Sequence, residues 1–241
     1  MQKNIIDISD WVVDRFIENG IDRVFVYPGG TIAPLVNACI RRNIIIENFK
    51  NEQGAGYAAL AFSRLTGKPQ VVMVTSGPGV TNVLTPLADA YYDSTPLIVI
   101  TGQVGTPDLN SRHGVRQRGF QEVPTVSITS PISKLSICLK SSKDVYQNIP
   151  HAFELSIEGR QGPVVLDFPM DIQRLEINDL NKISTDNKKS NISINKSDGF
   201  NIKDDVVQDI ANAAINAKLP VLLLGQGALS AGLFEEYIEI A

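Results

Sequence analysis

Glu52 is the side chain of this sequence best placed for acid–base chemistry. It stands in Asn51-Glu52-Gln53-Gly54-Ala55-Gly56-Tyr57-Ala58-Ala59, ahead of a segment so rich in Gly and Ala that its backbone can pack closely on a neighbour. A carboxyl at the mouth of such a dry layer has its neutral form favoured and is suited to giving or taking a proton. The simpler reading is a first-turn carboxylate that complements the helix macrodipole, worth about 0.3–1 kcal/mol. Three Gly-bearing segments also invite chemistry: Tyr27-Pro28-Gly29-Gly30, Thr75-Ser76-Gly77-Pro78-Gly79 and Thr101-Gly102-Gln103. Glycine lets the backbone approach a ligand closely, and the following helix N-terminus offers free N–H groups. Tight turns are the alternative at each. None matches GxGxxG or GxxxxGK[ST], so neither a dinucleotide nor a P-loop nucleotide site is indicated. A further stretch, Gly105 to Gly119, carries Arg112, His113, Arg116 and Arg118. Guanidinium groups suit carboxylate or phosphate recognition, and a solvated charged face is the alternative.

These residues need elements to position them. Apolar, β-rich runs recur at Val24–Val26, Ile44–Ile46, Val71–Val74, Leu97–Ile100, Leu135–Leu139 and Val164–Leu166, and read as buried strands. Helical spacing lies between them: Ile8, Trp11, Val12 and Phe16, then 32–41, 53–65, 80–92 and 144–157. Continuous apolar strands alternating with helices predict an α/β fold, a flavodoxin-like parallel sheet of about six strands with helices on both faces. An α+β mixture is the competing arrangement. In the parallel sheet all three Gly-bearing turns fall at carboxyl ends of strands, where ligands bind in open α/β sheets.

The chain has 241 residues, 43% hydrophobic and 20% charged, which is ordinary for a soluble globular protein. Its net charge of −4 gives no footprint for nucleic acid, so any anion is held locally. No apolar run reaches the roughly 18 residues of a membrane span. The opening Met1-Gln2-Lys3-Asn4 leads into an amphipathic segment rather than a signal-peptide core, an expectation of cytoplasmic location. Cys39 and Cys138 lack CxxC spacing and read as small buried hydrophobes. His113 and His151 are the only histidines, and His151, within a helical segment, reads as structural. From 178 to 201 the composition turns to Asn, Lys, Ser and Asp, too polar for a core. The expected organisation is a domain over 1–178, a linker over 179–200, and over 201–241 the truncated start of a second α/β domain, with a helix at 206–217 and a strand at 221–224.

Four strings occur in order: Asn-Glu-Gln-Gly-Ala-Gly, Val-Thr-Ser-Gly-Pro-Gly-Val-Thr-Asn, Ala-Asp-Ala-Tyr-Tyr-Asp-Ser-Thr-Pro-Leu-Ile-Val-Ile-Thr-Gly-Gln-Val and Gly-Phe-Gln-Glu. Together they make the chain resemble the acetolactate synthase branch of thiamine-diphosphate enzymes, over residues 1 to about 175, the domain that binds the aminopyrimidine ring. The resemblance implies that Glu52 hydrogen-bonds the pyrimidine N1′ and favours the imino tautomer whose 4′-imine takes the thiazolium C2 proton. The cofactor then attacks a 2-oxo acid such as pyruvate, and after decarboxylation the acyl carbanion passes to a second carbonyl. The same resemblance sets Thr75, Pro78 and Asn82 around the aminopyrimidine. It sets Tyr27, Pro28 and Gly29 at the cofactor across a dimer interface, and Phe120 and Gln121 beside the substrate. It implies a homodimer or homotetramer with the site between subunits. Turn formation is the plainer role for Thr75, Pro78 and Asn82, and core packing for Tyr27 and Phe120.

Three departures bear on substrate. Tyr57 stands where this subgroup usually has His, Met170 where it usually has Lys, and the loop from Val104 to Phe120 is several residues longer than is typical. Arg116 and Arg118, leading into Phe120-Gln121, then suit a more anionic substrate, and a related decarboxylase or lyase is the alternative activity. The family holds the diphosphate through Mg²⁺ with a Gly-Asp-Gly motif in a third domain. Here the only Asp-Gly, Asp198-Gly199, lies in the linker. The chain alone is therefore expected to be inactive, as part of a longer enzyme or as a non-catalytic or split subunit whose partner brings the diphosphate domain. FAD, bound by many acetolactate synthases, is a further cofactor the resemblance allows.

Overall fold

The computed structural model describes residues 7–109, 115–177 and 202–223, with residues 225, 227, 228, 235, 238 and 239. The first helix, α1 (Ile8–Glu18), starts at Asp7, whose side chain accepts from the Asp10 N–H at 2.9 Å. Then come β1 (Arg23–Val26), α2 (Ala33–Arg41), β2 (Ile45–Asn48), α3 (Glu52–Thr66), β3 (Gln70–Val74), α4 (Pro78–Tyr92) and β4 (Leu97–Gln103). A short α5 (Thr125–Thr129), β5 (Leu135–Cys138), α6 (Ser142–Ile157), β6 (Pro163–Pro169) and a one-turn α7 (Met170–Gln173) complete the sheet domain.

The six strands are parallel, in the order β2-β1-β3-β4-β6-β5. This is the flavodoxin-like order with β6 set between β4 and β5, so chain direction across the sheet reverses at β1/β3 and again at β4/β6. Alternate residues of the central strands go to opposite faces. Val24, Val26, Val71, Met73, Ile98, Ile100, Val164 and Leu166 join α1, α2 and α6 in one core. Phe25, Val72, Val74, Leu97, Val99 and Val165 join α3 and α4 in the other. That double burial is why the central strands read as unbroken apolar runs. The edge strands differ from the expectation of buried strands: β2 and β5 are half-exposed along their length, because each has a neighbour on one side only. Cys39 is buried as expected, whereas Cys138, on edge strand β5, is only half-buried.

Contacts divide the chain into two units, Met1–Lys188 and Lys189–Ala241. In the second, α8 (Asp204–Asn216) accounts for the expected helix. Residues 221–223 are not in a strand, since no neighbouring strand is present among the described residues to pair with them. The expected linker at 179–200, with Asp198 and Gly199, and the loop residues Arg112 and His113 lie outside the described residues.

The carboxyl edge is assembled by one close approach. A Cβ on Gly102 would lie 2.5 Å from Thr31 Oγ1 and 2.6 Å from the Thr31 backbone carbon and oxygen, so the β1–α2 turn is seated on bare backbone of β4. Gly102→Ala should destabilise the domain by about 1–3 kcal/mol, since the obstacle is backbone that cannot rotate away. Gly30→Ala meets nothing within 4 Å and should stay within about 0.5 kcal/mol. Urea unfolding of the two variants checks this, and equal midpoints would contradict the packing.

Candidate functional site

The three Gly-bearing turns meet at Thr31. Its hydroxyl shares a hydrogen bond with Thr75 Oγ1 at 2.8 Å and accepts from the Ser76 N–H at 3.0 Å, while its carbonyl accepts from Gln173 Nε2 at 2.8 Å. Gly29 lies so near Thr75 that an added Cβ would come within 2.4 Å of its side chain. The turns after β1 and β3 are therefore locked together, with Tyr27 and Pro28 turned outward. Tyr27 is 36% exposed, which removes core packing as its role.

Glu52 opens α3. Asn51 caps that helix by accepting from the Gly54 N–H at 2.6 Å, and this places the next carboxyl in the first turn. Glu52 is only 4% exposed. Its Oε2 accepts from Asn82 Nδ2, on α4, at 2.9 Å, and among the described residues no donor reaches Oε1. The two helices approach closely because Gly56 has no side chain: a Cβ there would stand 2.4 Å from Pro86 Cγ. The expected small-residue packing of α3 thus has its partner, α4. Beside the Glu52–Asn82 pair opens a cavity of about 340 Å³ lined by Asn51, Gln53, Thr81, Asn82 and Thr85, all amide or hydroxyl side chains. A lining of uncharged donors and acceptors suits a neutral polar ligand better than an anion. Among the described residues no group of three or more His, Cys, Asp or Glu is placed to hold a metal ion.

The Phe120-Gln121 segment reaches the same edge from the other side. The Gln121 Cβ and carbonyl oxygen occupy the space over Gly77, where an added Cβ would meet them at 2.8 and 2.9 Å. Gln121 therefore sits against the turn that carries Pro78. Phe120 is 82% exposed, so it too is no core residue. The arginines part company: Arg118 Nε lies 3.7 Å from Asp108 Oδ1 across the base of the loop, whereas Arg116 is exposed with no carboxylate within ion-pair distance among the described residues. Met170 is half-buried at the start of α7, and Tyr57 is exposed on α3. His151 is half-buried in α6, away from these turns in the sequence, with Nε2 unpartnered.

Sequence reasoning missed Thr31, Gln103, Asp167 and Gln173. Thr31 acts through its hydroxyl and its carbonyl and Gln173 through its amide, contacts that leave no motif. Asp167 carried a signal, an acid inside an otherwise apolar strand run, and Gln103 closed a turn that drew attention only for its glycine.

Residues 6–128 match the family model described as thiamine pyrophosphate enzyme, N-terminal TPP binding domain. The chain is 37% identical over 224 residues to a mitochondrial acetolactate synthase of Schizosaccharomyces pombe, covering 90% of this chain and 32% of that protein. It is 40% identical over 216 residues to the mitochondrial catalytic subunit of the Saccharomyces cerevisiae acetolactate synthase, covering 87% and 30%. With the Lactococcus lactis acetolactate synthase large subunit the identity is 34% over 242 residues, covering 96% and 39%. The chain thus spans about a third of the length of these relatives. No helix among the described residues is long and apolar enough to cross a membrane.

Asp167 is the second buried acid of this edge. Burial pushes its carboxyl up from the usual range, against hydrogen bonds from Gln103 and Thr101 that favour the charged form. The folded protein then binds more protons than the unfolded chain, whose aspartates titrate near about 3.9. Stability contributed by this group is present below that value and is lost as pH rises towards the raised one. Asp167→Asn removes the titration, so the variant should gain on the wild type as pH climbs from about 4 towards neutrality. Urea midpoints of both proteins across that range are the measurement; a wild type that gains on the variant as pH rises would mean the carboxylate is held charged.

Proposed function

The chain belongs to the thiamine pyrophosphate enzymes, through their N-terminal TPP-binding domain, and from that premise we propose that it forms the aminopyrimidine-binding part of an acetolactate-synthase-like enzyme acting on a 2-oxo acid such as pyruvate. One observation carries this reading: the buried Glu52 carboxyl has one oxygen held by Asn82 and the other open, at the edge where the β1 and β3 turns meet. An Asn NH₂ only donates, so Oε2 accepts from Asn82 and Oε1 is the oxygen left to meet a ring nitrogen. A carboxyl oxygen fixed in one place is what a ring nitrogen needs as a hydrogen-bond partner in order to change tautomer. Bound thiamine diphosphate supplies a carbon nucleophile for the 2-oxo acid and a sink for the electron pair left when CO₂ departs.

This chain's own residues supply position and proton. In this reading Thr75, Pro78 and Asn82 flank the ring, and Tyr27, Pro28 and Gly29 face a second subunit's cofactor across a homodimeric or homotetrameric interface. Phe120 and Gln121 stand beside the substrate, with Arg116 toward its carboxylate and Arg118 closing the loop on Asp108. Mg²⁺ for the diphosphate, and FAD where it is used, are assigned to further domains. A more anionic 2-oxo acid is the second reading, favoured by Arg116 being without a described carboxylate partner while Met170 replaces the usual Lys.

Turnover of pyruvate by the full-length enzyme with thiamine diphosphate and Mg²⁺ should fall at least about 100-fold in Glu52→Gln. Undiminished turnover in that variant would remove Glu52 from the role. Arg116→Ala should raise KM for a dicarboxylic 2-oxo acid more than for pyruvate if the second reading holds; equal effects would dismiss it.

A further inference from the structure

Between Val115 and α5 the described chain has no helix or strand, yet it carries Phe120 and Gln121 to a defined place. Two contacts fix it. At one end Gln121, itself at a left-handed φ of 61°, lies over Gly77, whose missing Cβ leaves the room. Gly119 in turn lies under Val104, 2.7 Å from where its own Cβ would stand. At the other end is Gln103, the last residue of β4 and almost fully buried. Its Oε1 accepts from the Val104 N–H at 3.0 Å. Its Nε2 donates to Asp167 Oδ2 at 3.0 Å, to the Val123 carbonyl at 3.2 Å and to Thr125 Oγ1 at 3.4 Å. Asp167, set opposite Thr101 in the β4–β6 register, takes the Thr101 hydroxyl on its other oxygen at 2.7 Å.

The direction of the Gln103 amide is thus dictated from two sides. Val104 N–H demands an acceptor and the Asp167 oxygen demands a donor, and only one orientation satisfies both. In that orientation the amide hydrogens also face Val123 and Thr125. We infer that Gln103, oriented by Asp167, is a positioning residue that holds Gly119–Thr125 against the β3–α4 turn and so sets where Phe120 and Gln121 stand. The functional meaning of that placement rests on the substrate-side role proposed above, while the placement itself does not.

Four variants of the chain, followed by amide hydrogen exchange without cofactor, test it. Gln103→Met removes the anchor and leaves the Thr101–Asp167 bond. It should speed exchange in Gly119–Thr125 at least about tenfold while α1 and α6 keep wild-type rates. Asp167→Leu should do the same. Asp167→Asn, which can keep an oxygen toward Gln103 and turn its NH₂ to Thr101 Oγ1, should restore wild-type exchange in the segment. Thr101→Val should lower the urea midpoint yet leave the segment protected. Wild-type exchange of Gly119–Thr125 in Gln103→Met, or equal acceleration in Thr101→Val, would overturn the inference. The cofactor reading fails by a different measurement, the turnover assay of Glu52→Gln.

Discussion

The seating of Thr31 on the bare backbone of Gly102 is the contact on which the carboxyl edge depends. It carries the turn after β1 across the end of β3 and onto β4, which lies two strands away in the sheet. Once there, the hydroxyl of Thr31 holds Thr75 and Ser76, and its carbonyl holds Gln173 from beyond β6. Four connections that are far apart in the chain therefore share one residue. A side chain at position 102 would lift the turn by about the size of a methyl group, and every bond to Thr31 would lengthen together. Such over-determination lets a surface turn hold a constrained shape, because no single hydrogen bond must supply the rigidity.

The sheet dictates that a site forms at this edge at all. All six strands run parallel, so every strand ends on the same side, and the two reversals of order open crevices beside β1/β3 and β4/β6. The first crevice receives Glu52 and Asn82 by way of α3 and α4. The second receives Asp167 and Gln103, which face each other across β4 and β6. The segment from Gly119 to Thr125 links them, touching Gly77 at one and Gln103 at the other. The two places are thus joined by a piece of chain without regular structure, which suits a fold whose function is varied through its loops.

Much of the fold was legible because its signals are local. Six apolar runs became six strands, and the glycines that marked the turns and α3 were visible where they stand, although the partners they make room for, such as Thr75, Pro86 and Gln121, are far along the chain. What escaped was set by distance. The insertion of β6 between β4 and β5 depends on packing between faces, and a run such as Leu135–Leu139 carries no mark of being an edge. Within the site, Glu52 and Asn82 were each identifiable, but their bond spans thirty residues and shows only in the fold. Thr31 and Gln173 belong to no recognisable string, because a hydroxyl, a backbone carbonyl or an amide does their work whatever surrounds it in sequence. Val221–Leu223 shows the converse: an apolar run that reads as a strand but has no strand to pair with among the described residues.

Three buried carboxyls in one domain show how environment divides their labour. Asp10, fully buried, meets the guanidinium of Arg41 at 2.9 Å and that of Arg42 at 4.0 Å, and fastens α1 to α2 as a charge among charges. Asp167 meets only uncharged amide, hydroxyl and thiol donors, so burial raises its proton affinity, and both oxygens are spent on orienting neighbours. Glu52 is held by a single amide on one oxygen, while no donor among the described residues reaches the other. A guanidinium beside it would pin the charged form and end its use as an acid; a full set of neutral donors would leave nothing for a ligand. One donor fixes the side chain and names the oxygen that remains, and that oxygen has no donor among the described residues.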